Sequence, residues 1–224
     1  MSSHVSKQEP ASMLEKLIAR SLGPIIDEPV GDDVHAFVAR WGKLGQDLVH
    51  TLQSRNGFYS RESALLVRPF SASRAGDLPR GLVAWNEPRR WESYPGAEAF
   101  LFFAEDVFGH PFGLSAEGIV SLDLETGDVE VMADTFEDWA KLLDEESNLW
   151  TGWTLAHDWQ EKNGAIRVGH RLAPRRPFVL GGDYAISNLV LVEEEEGILA
   201  RARLADQIRR NPVGTEVTYE LRPA

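Results

Sequence analysis

FLFFAEDVFGHPFGLSAEGIVSLDLETGDVEVMADTFEDWAKLL, residues 100–143, packs several structural signals into one unbroken run. Residues 101–104 form an apolar run and read as a strand that ends in the acidic turn Glu105-Asp106. Residues 119–124 and 129–133 read as two further strands, and Glu125-Thr126-Gly127-Asp128 between them carries the glycine of a tight hairpin. A helix then opens at Asp134 or Thr135, has acids in its first turn, and places Phe136, Trp139 and Leu143 at helical spacing on one buried face.

Outward from this unit, Ser12 and Glu15 have the spacing of a capping box, predicting a first helix from Met13 to about Ser21 that stops at Gly23-Pro24. Val34, Phe37, Val38, Trp41, Leu44, Leu48 and Leu52 recur at three- and four-residue steps, predicting one long helix up to Asn56-Gly57. Residues 64–67 and 82–85 are read as extended, with the polar segment 71–81 a loop between them. A Trp-rich helix is expected over 149–159, an extended connection over 171–177, short strands at 178–180 and 188–192, an acidic turn at 193–197, an amphipathic helix over 198–210 and a last strand at 216–221. Helices at both ends around hairpin-linked strands argue for an α+β fold: one domain over residues 12–224, its central, mostly antiparallel sheet flanked by helices, with N-terminal helices before it and a flexible segment at 1–11.

Composition narrows the chemistry. The 224 residues include no cysteine, which removes disulfides, thiolate nucleophiles and Cys-ligated metals. No stretch reaches the roughly 18 apolar residues of a membrane span, and residues 1–10 lack a signal-peptide pattern, so a soluble, cytoplasmic protein is expected. Of the net charge of −12, residues 1–99 contribute nothing, with 12 basic and 12 acidic side chains, while residues 100–224 carry 11 basic against 23 acidic. Such a field repels phosphate backbones and attracts basic partners, which argues against nucleic-acid binding.

The candidate catalytic patterns are weak. His4, His35, His50, His110, His157 and His170 show no HExxH or HxH spacing, so no metal site is expected. Ser115 lies in GxSxxG, one residue too long for a nucleophile elbow. Glu105 and Asp106 are neighbours on an extended chain and point to opposite sides, which suits loop capping better than paired acid–base work. The 123–128 segment lacks the glycine and terminal glutamate of a calcium loop, and Gly181-Gly182 fits no phosphate loop. No catalytic residue and no cofactor is therefore expected.

Two features point to a partner instead. Trp91, in the turn-rich Arg89-Arg90-Trp91-Glu92 context, is the best exposed candidate among seven tryptophans, a residue enriched in binding hot spots. Glu193, Glu194, Glu195 and Glu196 form either a solvated turn or an acidic patch that captures a basic surface.

The chain also resembles the SUKH superfamily, which unites fungal cell-wall-synthesis regulators with bacterial toxin-immunity proteins. The residues that carry the resemblance are Asn56-Gly57-Phe58-Tyr59 with Glu62-Ser63-Ala64-Leu65, Trp85-Asn86, Leu101-Phe102-Phe103-Ala104-Glu105-Asp106-Val107-Phe108-Gly109, Glu125-Thr126-Gly127 with Trp139, and Pro177-Phe178-Val179-Leu180-Gly181-Gly182 with Asn188-Leu189. It departs from the pattern at His110-Pro111-Phe112, which replaces a more polar lead into Phe. The resemblance implies an α+β domain that binds another protein rather than catalysing a reaction. In bacteria that partner is a toxin, often a nuclease or deaminase. A scaffold or regulatory module with a non-toxin client is the alternative, and an unrecognised hydrolase the third.

Overall fold

The computed structural model describes residues 11–71 and 79–224. The expected flexible segment therefore lies, apart from Ala11, outside the described residues, as does most of the expected 71–81 loop. The centre is a six-stranded antiparallel meander in sequence order: β1 (Phe58–Ser60), β2 (Leu65–Val67), β3 (Leu101–Asp106), β4 (Pro111–Leu114), β5 (Ile119–Leu122) and β6 (Val129–Ala133). A separate hairpin pairs β7 (His170–Pro174) with β8 (Leu189–Glu193). The fold is α+β with helices before, within and after the sheet, and it forms a single compact domain.

The pairing register sorts side chains onto two faces. Leu101, Leu114 and Ile119 are cross-strand partners on one face, joined there by Phe103 and Phe112 against α6 (Phe136–Glu145). Phe103 lies 5.0 Å from Phe136 and 5.2 Å from Trp139 between ring centroids. On the other face Phe102, Gly113, Val120 and Val131 form one row across the strands. Phe102 packs there with Trp85, Trp91, Tyr94 and Ile198.

Local chemistry explains where helices begin and end. The first helix, α1 (Met13–Ala19), has both bonds of its capping box, from Glu15 N to Ser12 Oγ and from Ser12 N to Glu15 Oε2. The long helix expected to end at 56 is instead two, α2 (Asp33–Val38) and α3 (Gly42–Ser54), with a 3₁₀ turn at Ala39–Trp41 between them. Gly42 makes the corner at φ 53°, a conformation that costs glycine nothing. The Trp-rich helix is likewise split into α7 (Ser147–Thr151) and α8 (Trp153–Asn163). Gly152 sits between them at φ 65° against the Phe108 ring, where an added Cβ would come within 2.7 Å.

Four further expectations are corrected. Residues 82–85 form a helical turn, α4 (Leu82–Trp85), followed by α5 (Pro88–Trp91) with Pro88 in its first turn. Phe178–Leu180 is 3₁₀ rather than strand. The acidic segment at 193 belongs to the last helix, α9 (Glu194–Arg210), rather than to a turn before it. Among the described residues, 216–221 pair with no strand: Thr218 is held by Gln207, and Ala224 N donates to Leu191 O.

Candidate functional site

Glu105 and Asp106 end β3 and, as alternation requires, point apart. Glu105 enters a buried ionic network. Its Oε2 accepts from Arg68 Nη2 at 2.6 Å and its Oε1 from Arg171 Nε at 2.5 Å. Arg68 also reaches Glu194 Oε2 at 3.1 Å, and Glu194 Oε1 accepts from Arg80 Nη1 at 2.6 Å. The network thus joins the end of β2, β3, β7 and the first turn of α9. Burial alone would raise the Glu194 carboxyl, but Arg68 and Arg80 outweigh it and hold the group below its ordinary range. The Arg68 guanidinium also lies over the Trp85 ring, 3.1 Å from its centroid.

Asp106 turns the other way, and its Oδ1 accepts from His110 N at 2.8 Å. Burial pushes its carboxyl up to about 8, against the opposing pull of that backbone bond. His110 is partly buried beside it, and desolvation and the Arg201 charge drive its imidazole down to about 4. Its Nδ1 accepts from Leu124 N at 3.0 Å. The nearby Asp123 Oδ1 is 3.8 Å away, and since Nδ1 is already accepting from that amide on a neutral ring, the approach is not an ion pair. Both side chains of the acidic turn, Glu105 by ion pairs and Asp106 by its bond from His110 N, are thereby committed to holding the fold. Ser115 is a turn residue as well, with Oγ accepting from Glu117 N and Gly118 N.

The partner-binding expectations are relocated. Trp91 is 5% exposed: its indole N–H donates to Trp85 O at 2.8 Å and its ring lies 4.3 Å from Phe102. It is a core residue, because the Pro88 turn rolls it inward under the sheet. Of the four glutamates, Glu193 caps α9 by accepting from Glu195 N and Glu196 N. Glu194 is 3% exposed inside the ionic network. Glu195 pairs with Arg80 at 3.0 Å and Arg90 at 2.7 Å. The free acidic patch expected at 193–196 is therefore largely engaged by intramolecular arginines.

The exposed acid lies elsewhere. Along β6 and α6, Asp128, Glu130, Asp134, Glu137, Asp138, Asp144, Glu145 and Glu146 are exposed, and Lys141 is the one basic residue in that stretch. Glu137 accepts from Met13 N and Leu14 N, and Asp144 meets Arg61 at 3.3 Å; among the described residues Glu130 and Asp134 are in no ion pair or side-chain hydrogen bond. Beside this flank two clefts share Trp41 and Phe100. One, of about 390 Å³, is lined by Phe37, Trp91, Tyr94 and Pro95. The other, of about 360 Å³, is lined by Val120, Val129, Val131 and Glu117. A third cavity, of about 280 Å³, lies at the β1–β2 turn, where Arg61, Glu62 and Ser63 all have positive φ. Of its ionic groups, Arg61 meets Asp144 at 3.3 Å and Glu62 meets His157 at 2.7 Å. Among the described residues no group of three or more His, Asp or Glu is placed to hold a metal ion, and no helix is long and apolar enough to cross a membrane.

Comparison with protein families finds none that matches the chain, and comparison with functionally curated proteins finds no match either. Among solved structures, the fold is similar to the crystal structure of Atu4351 from Agrobacterium tumefaciens, with a TM-score of 0.57 and 11% identity over 84% of this chain and 87% of that one. At that identity the likeness is one of fold and assigns no activity.

Proposed function

We propose that this chain is a non-enzymatic, cytoplasmic immunity-type protein that binds and neutralises a cognate toxin domain of the nuclease or deaminase kind. The observation that carries the reading is the acidic β6–α6 flank, where residues 128–146 expose eight carboxylates and one lysine, with Arg20 and Arg61 meeting it at Asp144. A nuclease must present a basic groove to phosphates, and an acidic face is its electrostatic complement. A surface of this sign speeds encounter with a basic domain, occupies the place of the substrate backbone, and turns away nucleic acid itself. The acidic side chains that sequence patterns offered for catalysis, Glu105 and Asp106, are committed to Arg68, Arg171 and the His110 turn, which fits a binding module. The resemblance to SUKH proteins points the same way.

A second reading, a regulatory interaction module with a non-toxin client, draws on the aromatic cleft of about 390 Å³ beside Trp41. The two are separated by co-expressing this chain with the product of an adjacent gene that is toxic alone. Restored growth and a co-purifying complex support the immunity reading. Continued toxicity with no complex would reject it.

A further inference from the structure

The two edges of the six-stranded sheet are finished differently. At β1 the edge is closed by the N-terminal segment, with Leu22 N donating to Tyr59 O at 2.7 Å and Tyr59 N to Leu22 O at 2.9 Å. At β6 the sheet simply ends, and among the described residues no backbone hydrogen bond reaches its outer edge. An open edge is a template for another strand. Its side chains alternate in kind. Val129 and Val131, 43% and 47% exposed, lie on the face of Val120 and Leu122, their cross-strand partners, and border the cleft beside Phe100. Asp128 and Glu130 take the opposite face, with Asp134 just beyond the strand. The extra residue at Met132 breaks the register with β5, so the regular open stretch is 128–131.

We propose that this edge is the docking site for an extended, basic segment of a protein partner, added as a seventh strand. Its aliphatic side chains would cover Val129 and Val131, and its alternate lysine or arginine side chains would face Asp128 and Glu130. Charge selects the occupant. A second copy of this chain, paired through the same edge, would set Asp128 and Glu130 against their own counterparts, and like charges directly opposite one another are destabilising. A basic strand meets complementary charge there and an apolar surface on the other face.

The inference deepens the immunity reading and rests on it, since it names how that partner would be held. Its test uses an eight-residue peptide of alternating lysine and valine, with a glutamate–valine peptide as control, and follows amide hydrogen exchange of the full chain. The expected result is that the basic peptide slows exchange of the outward-facing amides of Val129 and Val131 by at least about tenfold near saturation, consistent with new ladder bonds, while β1 is unaffected and the acidic peptide does nothing. The exposed Glu130→Lys change weakens the peptide by about tenfold, and the isosteric Val131→Thr, which keeps strand propensity, weakens it several-fold. No protection at Val129 and Val131, equal protection by the acidic peptide, or concentration-dependent protection without any peptide would each overturn the proposal, the last by making a second copy the occupant. A rescued toxin partner that binds while leaving Val129 and Val131 unprotected overturns this surface but not the immunity reading. A docked peptide with no rescuing partner does the reverse.

Discussion

Glu194→Gln and Glu196→Gln remove the same charge two residues apart, and the structure sets them far apart in cost. Glu194 is buried, and its two oxygens serve Arg68 at 3.1 Å and Arg80 at 2.6 Å. Breaking a buried ion pair from one side costs about 3–5 kcal/mol because the remaining charge loses its partner in a medium that cannot solvate it. The low end applies here, since Arg68 keeps Glu105 and Arg80 keeps Glu195. A loss of about 3 kcal/mol lowers the midpoint of thermal unfolding of a chain this size by about 10 °C. Glu196 shares in no ion pair among the described residues, and its substitution belongs with ordinary surface changes, within about 0.5 kcal/mol. The assay is urea unfolding at neutral pH, chosen because urea does not screen charge, with an unchanged m-value as evidence that both variants unfold from the same native state. Equal costs for the two variants would refute the buried network and return 193–196 to the status of a solvated acidic patch.

Other outcomes follow from the same structure. Asp106, with its carboxyl raised to about 8 from 3.8, holds a proton in the folded state that the unfolded chain releases, so its contribution is fully present below pH 4 and is lost as pH rises towards 8. Asp106→Asn, which keeps the acceptor for His110 N, removes that loss. Each tenfold difference in proton affinity between the folded and unfolded carboxyl is worth roughly 1.4 kcal/mol, so the variant is more stable by several kcal/mol at pH 8 and far less at pH 4, as read from urea melts at both. Glu194, held low, acts in the opposite window: its stabilisation is present above its ordinary pKa and is lost on acidification, so the Glu194→Gln deficit shrinks as pH falls below 4. Trp91→Ala costs about 3–5 kcal/mol as a core truncation while leaving partner affinity per folded molecule unchanged in calorimetry. Gly113→Ala would bring a Cβ within 2.9 Å of the buried Phe102 ring, and the forced displacement costs about 1–3 kcal/mol in the same melts.

The parts legible in the sequence are those whose signals are local. The Ser12–Glu15 capping box, strands β3, β5 and β6, the hairpin at Gly127 and the buried stripe of α6 all follow from residues within a few positions of one another. Strand β4 was hidden because Pro111 and Gly113 are poor strand formers; glycine stands there to let the Phe102 ring cross the sheet. The long helix over 34–52 kept its apolar spacing through Gly42, so periodicity alone did not show the corner. The role of the four glutamates depends on arginines about 100 positions away, for which a single sequence has no marker. One signal was present: 194, 198, 201 and 205 share a helical face, so continuing the Ile198 stripe back one turn places Glu194 on the buried side of α9. The acid at 128–146 was countable in the sequence, but only the fold places β6 at an open edge next to α6.

Whether an acidic face of this chain holds a basic protein domain is decided by stopped-flow association, at two salt concentrations, of the purified chain with the purified product of any neighbouring gene that is toxic when expressed alone. The expected outcome is a saturable one-to-one complex whose association rate falls steeply with salt and falls again on Glu130→Lys. Absence of a complex, or a complex whose association rate is the same at both salt concentrations and in both forms of the protein, would contradict the acidic-face reading.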